Sequence, residues 1–87
     1  MPFNLNYGVQ LMTVLLSDIA REISADWSNV NYAARPYLSA MHDLGSVREK
    51  FGHDDGKSIV LYFLANAGSW RGDTARRIKS QLKAMTK

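Results

Sequence analysis

The sequence predicts an all-α fold, a compact bundle of about four helices joined by short loops. Its 87 residues suit a single domain over 1–87 with one modest core. Two segments repeat apolar residues at spacings of three and four, which is the period of a half-buried helix. One apolar run could also form a strand, but no partner strand is evident. Together these observations favour helices throughout.

The first helix is predicted over Val9–Trp27, with Asn4 or Asn6 as a cap at its start. Its apolar residues lie on one helical face and its charged residues lie largely elsewhere. The residues of the apolar face are Met12, Leu15, Leu16, Ile19 and Ile23.

Pro36 marks the start of the second helix, because proline suits a first helical turn and disrupts a helix interior. We expect a turn over Asn29–Ala34 and a short helix from about Arg35 to Leu44. Gly45 would follow that helix as its C′ residue, and Ser46–Phe51 would add one further turn.

The stretch Gly52–Ser58 ends in Gly-Lys-Ser, as a phosphate-binding P-loop does. A P-loop has four residues between its glycines, whereas three separate Gly52 from Gly56. Asp54 and Asp55 would also face an anionic ligand with two carboxylates. An aspartate before a long apolar run is better explained as the N-cap of a helix.

The segment Ser58–Ala67 is apolar nearly all round. Its composition allows a strand, but its ending, Ala65–Gly68, is typical of a helix. We therefore expect a central, buried third helix and keep the strand as the alternative.

The last helix is predicted from Gly72 or Asp73 to Met85. Its apolar residues form a core stripe of Ala75, Ile78, Leu82 and Met85. Its basic residues form a second stripe of Arg76, Lys79, Lys83 and Lys87.

The positive charge is confined to the C-terminal half, since residues 1–44 carry four acids and two bases while residues 45–87 carry four acids and nine bases. The basic stripe could be a solvated face, a contact for an acidic protein or a contact for nucleic-acid phosphates. With the turn Ala67–Trp70, the last two helices also loosely resemble a helix-turn-helix. The predicted partner-binding residues are Trp70, Arg71, Arg76, Lys79 and Lys83.

The large aromatic side chains near element ends allow two interpretations. They could anchor an interface, or they could hold helix ends to the core, which we favour. They are Tyr7, Trp27, Tyr32, Tyr37 and Trp70.

The sequence shows no catalytic, metal or cofactor site. Cysteine is absent, which excludes disulfides and thiolate ligands. His42 and His53 are the two histidines, and neither lies at the spacing of a zinc site or a nucleophilic triad. No apolar run approaches the roughly 20 residues that span a bilayer, and the N-terminus lacks the basic region of a secretory signal. We therefore expect no membrane contact and a cytoplasmic location.

Several motifs carry a resemblance to a known family. They are Ala34-Arg35-Pro36-Tyr37-Leu38-Ser39-Ala40-Met41, Leu44, Gly56-Lys57-Ser58-Ile59-Val60-Leu61-Tyr62-Phe63-Leu64-Ala65-Asn66-Ala67, Trp70-Arg71-Gly72, Ala75-Arg76, Lys79 and Leu82-Lys83. The pattern resembles a group of small helical proteins of bacteriophages, prophages and integrative elements of Gram-positive bacteria. The match begins at Tyr32 and leaves the N-terminal helix outside.

This resemblance implies a phage-type origin, a compact helical domain and the cytoplasm of a bacterial host, and it carries over no catalytic residues. Small phage proteins commonly act by binding, which is an argument from association. The sequence therefore predicts a non-enzymatic interaction module that binds a host or phage protein as inhibitor or modulator. The alternative is a nucleic-acid-binding regulator that uses the basic C-terminal helix. A homo-oligomer is also expected to be possible, because the core is small.

Overall fold

The computed structural model describes residues 15–87. Within this range it has four α-helices, one 3₁₀ turn and one two-stranded hairpin. In chain order these are α1 (Leu16–Asp26), the 3₁₀ turn (Tyr32–Ala34), α2 (Arg35–His42), β1 (Lys50–Phe51), β2 (Asp54–Asp55), α3 (Gly56–Ala65) and α4 (Asp73–Met85). The predicted all-α bundle of four helices is confirmed, and the short hairpin is an addition to it.

The four helices share one hydrophobic core. Helix α1 packs against α2 and α4, and α3 packs against the same two helices. Within residues 15–87 no polar or charged residue is buried, so the core is purely apolar. Its largest fully buried side chains are Leu16, Ile23, Met41, Val60, Phe63, Ile78 and Leu82.

Helix α1 begins later than the sequence suggested. Leu15 has extended backbone angles (φ −99°, ψ 145°), so a continuous helix over Val9–Trp27 is wrong at this residue. The carbonyls of Gly45 and Leu44 accept from the N–H groups of Leu16 and Ser17, at 3.1 and 2.9 Å. A loop from elsewhere in the chain therefore caps α1. The predicted caps Asn4 and Asn6, and the predicted core residue Met12, lie outside the described residues.

Helix α2 has Pro36 in its first turn, as predicted, and ends at His42. The C′ role predicted for Gly45 is wrong, because the C-cap is Asp43 and Gly45 lacks the positive φ of such a glycine. Leu44 is buried, and its carbonyl and that of Gly45 turn towards α1. The backbone carbonyl of Gly45 therefore caps the start of α1, and Gly45 does not cap the end of α2.

The turn predicted over Ser46–Phe51 is present only in its first part, where the Glu49 N–H donates to the Ser46 carbonyl at 3.2 Å, and a β-hairpin begins at Lys50. Strands β1 and β2 are antiparallel, with Lys50 opposite Asp55, and a two-residue turn of Gly52 and His53 joins them. Gly52 has a φ of +66°, which the first position of a type II′ hairpin turn requires. The sequence signal is weak because both strands are only two residues long.

The capping interpretation of the Gly52–Ser58 stretch is confirmed. The Asp55 carboxylate accepts from the N–H of Ser58 at 2.8 Å. The N–H groups of Gly56 and Lys57 donate to the carbonyls of Glu49 and Val47, at 2.6 and 3.0 Å. These first donors of α3 are thus bonded within the protein, which leaves them unavailable to a phosphate.

Segment 56–65 is a helix, so the strand alternative is wrong, but it is not buried on all sides. Ile59, Val60 and Phe63 face the core, whereas Leu61 and Tyr62 are 45 % and 47 % exposed. A helix that packs against two others in a small bundle keeps one face towards water.

Helix α4 has the predicted bounds, Asp73–Met85. Ala75, Ile78 and Leu82 are buried and Met85 is partly buried, as the predicted core stripe requires. The helix starts after Gly72, whose φ of +115° is one that other residues rarely adopt.

The close approach of two backbones requires glycine at position 56. A Cβ on Gly56 would lie 2.7 Å from the Ser46 carbonyl oxygen and 2.8 Å from the Val47 Cα. We expect Gly56→Ala to lower the free energy of unfolding by about 1–3 kcal/mol, because the backbone must shift. The matched control is Gly68→Ala, whose Cβ would meet nothing within 4 Å and which should leave stability equal or slightly higher. Urea denaturation measures both, and equal losses would contradict this account.

The Asp55 cap predicts an acid-sensitive contribution to stability. The backbone N–H of Ser58 lowers the pKa of Asp55 below its usual value, with smaller contributions from the Ser58 hydroxyl, Lys57 and Lys50. A carboxylate with a lowered pKa stabilises the fold above its unfolded-state pKa, near 4, and loses that effect as the pH falls further.

Asparagine caps helices nearly as well as aspartate but does not titrate. We expect Asp55→Asn to unfold with a shallower pH dependence below about pH 4 than the natural protein. Thermal midpoints measured from about pH 6 to about pH 2.5 provide the comparison. If the thermal midpoints of the two proteins fell equally at acidic pH, the Asp55 cap would not titrate in this range.

Candidate functional site

Three aromatic side chains meet where α1 ends and α4 is about to begin. The rings of Trp27 and Trp70 are stacked, with centroids 5.7 Å apart and planes 9° apart. Phe63 of α3 meets both edge-on, at 6.1 and 6.5 Å. We call Trp27, Phe63 and Trp70 the tryptophan corner. For both tryptophans the stapling interpretation is confirmed, since they are 7 % and 2 % exposed.

Trp70 is also held by two polar contacts. Its indole N–H donates to the Asp26 carboxylate at 2.8 Å. Its carbonyl accepts from the Lys79 ammonium at 2.7 Å, and that ammonium lies 5.9 Å from the centroid of the indole ring. The prediction that Trp70 lies on the exposed contact face is therefore wrong, because the fold buries it.

The environment of Lys79 is partly buried and carries excess positive charge. Burial beside Trp70 lowers the pKa of Lys79, and the charges of Lys83 and Arg71 lower it further. Burial disfavours the charged ammonium because it removes water, and the neighbouring cations disfavour it because like charges repel. Lys79 therefore has two roles, as a contact that holds Trp70 and as part of a cationic cluster.

The other predicted contact residues are exposed. Arg71, Arg76 and Lys83 are open to solvent, and Arg76 is paired with Asp73 one turn before it. Arg77, which was not among the predicted contacts, pairs with Glu22 of α1. Of the basic residues of α4, Arg77 therefore bonds to α1, whereas Arg76 and Lys83 face solvent.

Four of the five predicted residues, Trp70, Arg71, Arg76 and Lys79, line one surface cleft of about 310 Å³, beside Gly68, Gly72 and Ala75. A second cleft of about 390 Å³ is lined by Asp26, Trp27, Ser28, Asn29, Ser69 and again Trp70 and Arg71. Because the two clefts share Trp70 and Arg71, we treat them together as the Arg71 groove. Lys83 does not line either cleft.

A second surface is formed by α2 and α3. Leu61 and Tyr62 are about half exposed, and the Tyr62 ring lies 5.3 Å from that of Tyr37, tilted by 44°. We call Tyr37, Leu61 and Tyr62 the α3 face. Leu61 and Tyr62 were not among the predicted contact residues, although a helix that is apolar on every side, in a chain of this size, indicates that one side stays uncovered.

The 3₁₀ turn is fastened to the end of α3. The Asn31 side-chain amide donates to the Asn66 carbonyl at 2.9 Å, and the Asn66 amide donates to the Tyr62 carbonyl at 2.9 Å. Tyr32 in this turn is 84 % exposed, so the stapling interpretation is wrong for it. Tyr7 lies outside the described residues.

The two histidines lie on different elements. His42 is the last residue of α2, and its Nε2 lies 3.1 Å from the Ser24 hydroxyl of α1. His53 is exposed in the hairpin turn. His42 is therefore part of a contact between two helices.

A matched pair of variants separates the contribution of the Lys79–Trp70 hydrogen bond to stability from the effect of removing one positive charge. Lys79→Met should lower the free energy of unfolding by about 1 kcal/mol, because the Trp70 carbonyl loses its donor. Lys83→Met removes the same charge from an exposed side chain of the same helix and should change stability by less than about 0.5 kcal/mol. Chemical denaturation followed by tryptophan fluorescence measures both. Equal effects would show that the bond to Trp70 contributes nothing.

Over residues 15–87, no helix is long and apolar enough to cross a membrane. The same residues contain no group of three or more His, Cys, Asp or Glu side chains placed to hold a metal ion. Comparison of the chain with models of known protein families, with curated proteins and with solved structures finds no match.

Proposed function

We propose that the protein is a non-enzymatic helical interaction module that binds another protein through the α3 face. The observation that carries the proposal is the exposure of Leu61 and Tyr62, on a helix whose other side builds the core. Tyrosine and other aromatic residues are enriched in protein interfaces and among the residues that dominate binding energy.

The fold does not need apolar side chains at these positions. Ile59, Val60 and Phe63 already supply the contribution of α3 to the core. Polar residues at positions 61 and 62 would keep the helix and would reduce the apolar surface in water. The cost of that exposure, about 25 cal/mol for each Å² of apolar surface, is recovered when a partner covers it.

Contact with Tyr37 prepares Tyr62 for binding. The two rings lie 5.3 Å apart and come from different helices. A tyrosine side chain has two rotatable torsions, and packing against a neighbouring ring restricts them before any partner arrives. Binding through such a side chain costs little conformational entropy.

The partner that we propose is a host or phage protein in the cytoplasm of a bacterial host, which the protein would inhibit or modulate. Support for this part comes from the resemblance of the sequence to small phage and prophage proteins. A second copy of the chain is an alternative partner for the same face, since a small core gains stability from oligomerisation.

A nucleic-acid-binding regulator is the second candidate, and the outward basic residues of α4 favour it. Arg76, Lys83 and Lys87 are exposed on the last helix and its end. Against it, α4 carries no aromatic residue on which a base could stack. Its affinity would fall steeply with salt, whereas affinity through the α3 face would change little.

Site-specific cross-linking tests the α3 face directly. A benzophenone amino acid replaces Tyr62 in the protein produced in bacterial cells, and the cells are irradiated. We expect one predominant cross-linked protein, which remains after nuclease treatment and is identified by mass spectrometry. The control places the same amino acid at Ser80, an exposed position on α4.

Leu61→Asp should abolish the product at position 62, because it puts a charge in the middle of the apolar face. Ser80→Asp adds the same charge elsewhere and should leave the product unchanged. No product from position 62, or the same products from positions 62 and 80, would contradict the proposed function. A product of twice the chain mass would identify the partner as a second copy.

A further inference from the structure

The Arg71 groove is a surface separate from the α3 face, and it has one cationic and one polar end. Arg71, Arg76 and Lys79 line the cleft of about 310 Å³ at the first end. Asp26, Asn29 and other polar residues line the cleft of about 390 Å³ at the second. Trp70 and Arg71 line both ends.

The cationic end holds more positive charge than the fold compensates. Asp73 is paired with Arg76. Arg71 makes no ion pair among residues 15–87. The lowered pKa of Lys79, caused by burial and then by Lys83 and Arg71, agrees with this excess. A bound anion would relieve the mutual repulsion of these groups.

The charged group of Lys79 is held near its binding position, and the backbone that carries Arg71 is anchored. The Lys79 ammonium is fixed by its bond to the Trp70 carbonyl and retains two further N–H donors. Arg71 follows Trp70 directly, and Trp70 is anchored by a ring stack, an edge-on contact and the bond to Asp26. Preorganised donors lose little entropy when a ligand binds.

We propose that the Arg71 groove binds an acidic peptide segment of a partner protein, with its carboxylates at Arg71, Arg76 and Lys79. Guanidinium groups hold carboxylates through paired hydrogen bonds. The peptide backbone continues over Trp70 to the polar end, where Ser28, Asn29 and Ser69 offer hydrogen-bonding groups.

The groove suits a peptide better than a nucleic acid. A nucleic-acid strand carries a negative charge at every nucleotide and would meet the carboxylate of Asp26 at the polar end. A peptide can confine its acids to the cationic end. The indoles of Trp27 and Trp70 are also buried, so they offer no platform for stacked bases.

The test uses the two tryptophans as reporters, because they are the only tryptophans of the chain and both line the groove. A capped peptide of four glutamates between glycines is titrated into the full chain and followed by tryptophan fluorescence and calorimetry. A peptide with glutamine in place of glutamate and an oligothymidylate are titrated in parallel. We expect saturable binding of the glutamate peptide alone.

Arg71→Glu should weaken this binding at least tenfold. Arg48→Glu makes the same change of net charge at an exposed position outside both clefts and should alter affinity by less than twofold. Both arginines are exposed, and thermal unfolding checks that both variants fold. Gly68→Phe is a neutral variant that fills open space beside the cationic cleft and should also weaken binding.

Three results would overturn the proposal. One is equal weakening by Arg71→Glu and Arg48→Glu, which would indicate a general effect of net charge. Another is saturable, Arg71-dependent binding of the oligothymidylate without binding of the glutamate peptide. The third is the absence of saturable binding by any probe. Leu61→Asp should leave peptide binding unchanged, so failure at this groove is distinguishable from failure at the α3 face.

Discussion

The stack of Trp27 on Trp70 joins elements that are far apart in the chain. Trp27 is the C-cap of α1, Trp70 precedes α4, and Phe63 brings α3 into the same contact. Burial of one tryptophan side chain contributes about 4–6 kcal/mol as an upper estimate. That is comparable with the entire net stability expected for a domain of this size, roughly 4–13 kcal/mol. The packing of α4 against α1 and α3 therefore depends on this corner.

The loop between α2 and β1 stabilises the rest of the bundle through its carbonyl groups. Those of Leu44 and Gly45 cap α1, and those of Val47 and Glu49 cap α3. A six-residue stretch thus satisfies the first donors of two helices, which would otherwise need side-chain caps. This explains why Leu15, at the N-cap of α1, needs no capping side chain, and why Gly56 must lack a side chain where the loop crosses it.

The elements that the sequence predicted well are those specified by local chemistry. Asp55 caps its own helix, Pro36 begins one, and the stripe of α4 repeats at helical spacing. The elements that it missed have either a weak local signal or a distant partner. The hairpin at Gly52 is local, but it pairs strands of only two residues each. The first turn of α1 is capped by the carbonyls of Leu44 and Gly45, which no short window of sequence around α1 contains.

The same distinction separates the predicted contact residues. Charge and composition correctly placed Arg71, Arg76 and Lys83 on the outside, because isolated charges stay in water. They could not separate Lys79 from them, since its role comes from a carbonyl nine residues earlier that only the turn before α4 brings close. Tryptophan is a residue type typical of interfaces, yet Trp70 is buried against Asp26 and Trp27 at the end of α1.

Both candidate surfaces follow from how a four-helix bundle of this size uses its apolar and basic residues. Helix α3 has more apolar positions than its two helical neighbours can cover, and the surplus lies at Leu61 and Tyr62. Helix α4 has more cations than its contacts use, since Glu22 pairs with Arg77 and Asp73 with Arg76. The first surplus favours an apolar partner surface and the second an acidic one. Since the two lie on different helices, the two proposed surfaces share no residue.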